Sequence, residues 1–136
     1  MKRNFFTAIL FTVTLLFLTG CSSTKLADAF DAETVETMAR EAADHLIAGE
    51  YDENIAMMSD VMKNALSAEI LAENMDTMNE QTGSFVEYKS TAVVGQKDKD
   101  GRDLATAVIV AAFEKRNVTY TITFNTDMEV DGLFMK

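Results

Sequence analysis

The chain has a single histidine, His45, and it directly follows Asp44, a carboxylate of the kind that can steer an imidazole acting as general acid or base. On a helix, consecutive side chains diverge by about 100°, so Asp44 cannot orient the ring directly. No G-x-S-x-G nucleophile motif accompanies it. His45 therefore reads as a packed or half-exposed side chain, and no catalytic residue is assigned. Asp98, Asp100, Gly101 and Asp103 imitate part of a calcium loop. Placing Gly101 at the sixth loop position puts Gln96 first and Ala107 twelfth, where a bidentate glutamate belongs, so the segment reads as a solvated hairpin tip. Asp127, Glu129 and Asp131 pose the same question, and Asp131-Gly132 is more simply a turn. No metal and no cofactor is expected. Met38, Met57, Met58, Met62, Met75 and Met78 put flexible, polarizable side chains into one half of the chain, as soft pockets and adaptable cores do. Met57 and Met58 are adjacent, so both cannot point squarely at one core.

The remaining chemistry lies at the start. Lys2 and Arg3 precede an uncharged run from Phe5 to Leu18, 14 residues long, followed by Thr19-Gly20-Cys21. That run falls short of the roughly 20 residues a membrane-spanning helix needs and has the layout of an export signal. Leu18-Thr19-Gly20-Cys21 resembles the bacterial lipobox, which implies cleavage before Cys21, the one cysteine, and attachment of diacylglyceryl and fatty-acyl groups there. Residues 1–20 are thus expected to be a signal peptide, 21–29 the lipidated cysteine and a short tether, and 30–136 one domain. The expected location is extracytoplasmic, anchored by lipid to the bacterial cell membrane. Asn117-Val118-Thr119 fits a glycosylation sequon, but on a predicted strand of such a protein it receives no role.

Charge narrows the partners. Without Lys2 and Arg3 the chain has 10 basic against 22 acidic residues, net −12 with His45 neutral. A nucleic-acid partner needs a basic footprint and is excluded. Anionic headgroups are repelled as well, so membrane attachment should depend on the acyl chains. The charge is uneven, with a net −11 from Lys25 to Glu80 and −1 from Gln81 to Lys136.

The two halves also differ in period. Asp31 can cap a helix whose apolar stripe is Val35, Met38, Ala39, Ala42, His45 and Leu46, closed by Gly49. Asp52 can cap a second, carrying Ile55, Met58 and Met62 with Met57, Val61 and Ala65 beside them. Ser67 caps a third, with Leu71, Met75 and Met78 inward until Gly83. After Gly83 the period becomes two. Val86, Tyr88, Ala92 and Val94 form one strand, Leu104–Phe113 an apolar central one, Val118, Tyr120, Ile122 and Phe124 a third, and Leu133–Met135 a short last piece. About three helices followed by about four antiparallel strands predict an α+β domain with the first helix across a curved sheet.

Gly49-Glu50-Tyr51-Asp52, Ala65-Leu66-Ser67-Ala68-Glu69-Ile70-Leu71, Thr82-Gly83-Ser84-Phe85 and Val130-Asp131-Gly132-Leu133 resemble a domain-of-unknown-function family of bacterial lipoproteins. The resemblance covers roughly residues 30–135 and implies a cystatin-like, nuclear-transport-factor-like cone. It implies no catalytic residue and no substrate. The leading expectation is a non-enzymatic envelope module that binds a protein or small ligand through the open sheet face or the helix–sheet crevice. The alternative is a small pocket enzyme or ligand carrier built on His45 with Met38, Met58, Met62, Tyr88 and Tyr120. A third is a structural homodimer that pairs sheets.

Overall fold

A computed structural model describes residues 25–136; the expected signal peptide, residues 1–20, and the expected lipidation site Cys21 lie outside the described residues. Asp31 caps α1 (Ala32–Ala48), its carboxylate accepting from the Thr34 N–H at 2.9 Å, and this bond holds the Asp31 carboxyl below the usual range. Gly49 ends the helix in the left-handed region at φ 75°, where a residue without Cβ is at ease. Between these caps Val35, Ala39, Ala42, Ala43 and Leu46 are buried on one stripe.

The expected second helix is two. α2 (Tyr51–Ala56) stops, and α3 (Asp60–Ala65) starts afresh with Ser59 as its cap. The interruption has a cause in the sheet. Val130 donates its N–H to the Met57 carbonyl (2.8 Å), and Ser59 donates its N–H to the Val130 carbonyl (2.9 Å), which makes Met58 and Val130 a parallel bridge. A sheet edge presents unsatisfied backbone groups, and here the chain leaves helical geometry to satisfy them. α4 (Ala68–Thr82) follows, capped by Ser67, with Leu71, Met75 and Met78 inward.

Four strands then form a simple antiparallel meander in the order β1 (Phe85–Lys97), β2 (Asp103–Phe113), β3 (Asn117–Phe124), β4 (Val130–Met135). Alternation sorts the two faces of the sheet. Val118, Tyr120, Ile122 and Phe124 on β3, with Ala105, Ala107, Ile109 and Ala111 on β2, are fully buried beneath α1. Alanines on both β2 and α1 bring helix and sheet close together, while Tyr120, Phe124 and Leu46 fill the volume around them. Burying each large side chain contributes roughly 1.5–3 kcal/mol. Thr119, Thr121 and Thr123 line the other face, and no helix among the described residues is long and apolar enough to cross a membrane.

α1 runs antiparallel to β1, since Arg40 reaches Thr91 and Asp44 reaches Tyr88. The domain therefore has two distinct ends. One holds the start of α1, the β1–β2 hairpin and the β3–β4 turn; the other holds Gly83, the β2–β3 turn and Lys136.

Candidate functional site

The residues singled out in the sequence are dispersed by this geometry. His45 is 20% exposed; its Nδ1 lies 2.7 Å from Glu50 Oε2 and its Nε2 3.8 Å from Glu41 Oε1. Since a carboxylate only accepts, Nδ1 is the donor, and the ring ties the end of α1 to the loop that follows. Asp44 turns away, as helical geometry requires, and accepts from the Tyr88 hydroxyl at 2.5 Å. The Arg40 guanidinium stands 4.9 Å from the centre of the Tyr88 ring and donates from Nη2 to Thr91 Oγ1 at 2.8 Å. Burial, reinforced by Asp44, pushes the Tyr88 hydroxyl well above its ordinary pKa, so it serves as a neutral donor. Phe85 packs on the same ring at 4.9 Å. The cluster locks α1 to β1.

Met58 is buried at the opposite end, on the row that joins Val130, Phe124 and Ala105, whereas Tyr88 pairs with Ala111. Six residues of strand separate the two rows, roughly 20 Å. Met38, Met57 and Met62 are partly buried against the core, and Tyr120 is wholly buried, with its hydroxyl unpartnered among the described residues. Burial raises the Tyr120 pKa too. His45, Tyr88 and the methionines thus do not share one pocket.

The acidic turns close on themselves. Asp98 accepts from the N–H groups of Asp100 and Arg102, both at 2.9 Å, and from Arg102 Nε at 2.6 Å, and the backbone bond from Arg102 is the first cause of its lowered pKa. Gly101 turns the hairpin at φ 81°. Asn125 Oδ1 organises the last turn by accepting from the N–H groups of Asp127 and Glu129. Asp131 accepts from Ser59 Oγ at 2.7 Å. Among the described residues no three His, Cys, Asp or Glu side chains converge as metal ligands would.

A crevice of about 370 Å³, outside the sequence-based expectations, lies between α4 and the edge strand β4. Asn74, Thr77, Met78 and Gln81 of α4 form one wall, and Leu133 to Lys136 the other, with Arg116 of the β2–β3 turn at the mouth. Phe134 is 61% exposed here. Arg116 has no carboxylate within ion-pair distance among the described residues. The lining supplies cations, amides, a hydroxyl and apolar surface, but no carboxylate, imidazole or thiol side chain. It can hold an anion with an apolar body. One signal was visible: Lys115-Arg116 is the only adjacent basic pair after Arg3, and it falls between two predicted strands.

Comparison with known proteins places this arrangement. The family model described as "Protein of unknown function (DUF3887)" matches residues 39–133. The chain belongs to the DUF3887 family. The match runs from the middle of α1 to Leu133 of β4, and so takes in the α4 wall of the crevice and Arg116 but only the first residue of the β4 wall. An NMR structure of a protein from Ruminococcus gnavus ATCC 29149 is similar to this DUF3887 chain, at 25% identity and a TM-score of 0.70 over 83% of this chain and 97% of that one. No curated protein matches the chain.

Proposed function

We propose that this DUF3887 chain is a lipid-anchored extracytoplasmic binding module whose ligand site is the α4–β4 crevice. The anchor reading is supported by the order Lys2-Arg3, apolar run and Leu18-Thr19-Gly20-Cys21, which lies outside the described residues. The binding reading rests on one observation: Arg116, a cation without an ion-pair partner among the described residues, borders a crevice of mixed polar and apolar lining in a domain of net charge −12. Against that background an unneutralised basic corner costs the acidic domain nothing to maintain and selects for anions. Met78, Leu133, Phe134 and Met135 favour a ligand with an apolar portion, and Asn74 and Gln81 can fix its orientation. No carboxylate, imidazole or thiol side chain stands in this lining to activate the Thr77 hydroxyl, which favours binding over catalysis.

The probe is octanoate, compared with neutral octanamide, titrated into the isotopically labelled protein and followed by amide NMR shifts. Octanoate is expected to move the signals of Met78, Gln81, Leu133 and Phe134 together, and Arg116→Gln to weaken the response several-fold. Shifts scattered over the whole surface, or equal responses to acid and amide, would reject the crevice as an anion site.

A further inference from the structure

The segment before α1 approaches the sheet most closely at one point. Lys25 and Leu26 cross β1 at Gly95, where an added Cβ would lie 2.4 Å from the Lys25 carbonyl oxygen, 2.8 Å from its carbon and 2.9 Å from Leu26 Cα. All three are backbone atoms and cannot yield cheaply. Gly95 is not among the glycines with positive φ, so its own backbone does not call for glycine. What requires glycine there is the crossing segment. Leu26 and Ala27 then pack against the core, and Phe30, 7% exposed, closes a turn by donating its N–H to the Ala27 carbonyl at 3.0 Å.

Gly95 pairs with Ala105, and Ala105 with Phe124, next to the β1–β2 hairpin and the β3–β4 turn. The crevice mouth lies at the other end, where Lys136 pairs with Thr119 and Arg116 bonds to Phe113. From Ala105 to Phe113 strand β2 spans about 27 Å. Cys21 is only four residues from Lys25, a reach of about 14 Å at full extension. Were the chain free as far as Phe30, that reach would exceed 30 Å and the domain could lie against a membrane either way up.

From these lengths we infer that Gly95 sets the orientation of the domain on the lipid surface: the β1–β2 hairpin end faces the membrane and the crevice opens into the aqueous space. The inference rests on the lipid-anchor reading of Cys21. Its consequence is that the crevice takes its ligand from solution and not from the bilayer. The orientation is mechanical, because the hairpin balances Asp98, Asp100 and Asp103 against Lys97, Lys99 and Arg102, two of these in ion pairs, and with Asp127 in the adjacent turn this end has no net attraction for anionic headgroups.

The test uses the full chain purified from bacterial membranes and reconstituted into phosphatidylethanolamine–phosphatidylglycerol vesicles that contain a headgroup spin-labelled lipid. A fluorophore is placed on Lys99→Cys in one preparation and on Asn117→Cys in another; acylated Cys21 offers no thiol to the reagent. Quenching several-fold stronger at position 99 than at 117 is the expected result, and Gly95→Ala should erase the difference. Equal quenching in the parent chain, or a difference that survives Gly95→Ala, overturns the inference. If instead Cys21 takes up the fluorophore and the protein fails to float with the vesicles, the anchor reading itself has failed, and the orientation with it.

Discussion

Tyr88 on β1 donates its hydroxyl to Asp44 on α1 across 44 residues of sequence, and the Arg40 guanidinium lies beside the same ring. Tyr88→Phe removes one hydrogen bond while keeping the ring, and should lower stability by about 1 kcal/mol, read as a lower midpoint in urea unfolding with unchanged slope.

The same pair gives the fold an alkaline limit. Burial first, then the Asp44 bond, raises the Tyr88 pKa in the folded state, so below the ordinary tyrosine value of about 10 both states keep the proton and its contribution is fully present. As pH rises past that value the unfolded chain releases its proton and the folded chain does not, and stability falls. Thermal unfolding followed from neutral pH upward should show this decline, and Tyr88→Phe should make it shallower. An identical decline in the variant would remove Tyr88 as its source.

Tyr120 presents the opposite case. Its ring is fully buried and its hydroxyl finds no partner among the described residues. A buried unpaired hydroxyl is a cost, so Tyr120→Phe should leave stability unchanged or raise it by up to about 1 kcal/mol. A loss greater than that in calorimetry would show that the hydroxyl is bonded in solution.

Ser59 holds the junction of α2, α3 and β4. Its hydroxyl donates to Asp131 at 2.7 Å and accepts from the Met62 N–H at 3.4 Å. Ser59→Ala forfeits both and should cost roughly 1–2 kcal/mol, with amide exchange accelerated first in α3 and β4. Acceleration spread evenly over the domain would contradict that placement.

Cys21→Ser should abolish acyl labelling in growing bacteria and leave an unprocessed or released chain. Unchanged labelling would defeat the lipid-anchor reading.

The outline of the fold was legible because period and caps agree locally. Asp31, Ser67, Gly49 and Gly83 mark helix ends, and the alternation from Val118 to Phe124 marks a strand whichever partner it meets. The break at Met57–Ser59 was not legible, since Met57, Met58, Val61 and Met62 continue a helical stripe. What overrides it is a backbone pairing with Val130, 72 positions beyond Met58, on an edge strand that no local pattern reveals. The crevice escaped for a related reason. Its walls come from α4 and β4, and its cation from a turn between two other strands, so only the folded arrangement brings Arg116 beside Phe134. His45 and Tyr88 were each correctly placed on their elements, but the rotation of Asp44 toward Tyr88 sends the two side chains into separate networks.

The Met57–Ser59 bridge has an effect on the company the domain can keep. By occupying part of the β4 edge it leaves β1 as the longer free border of the sheet, and β1 is interrupted by irregular register at Phe85–Glu87 and Tyr88–Ser90 and carries Glu87, Lys89 and Lys97. Neither border offers a flat, uncharged template for a neighbouring strand. Edge-to-edge polymerisation into filaments is thereby disfavoured, even where copies crowd together at high density.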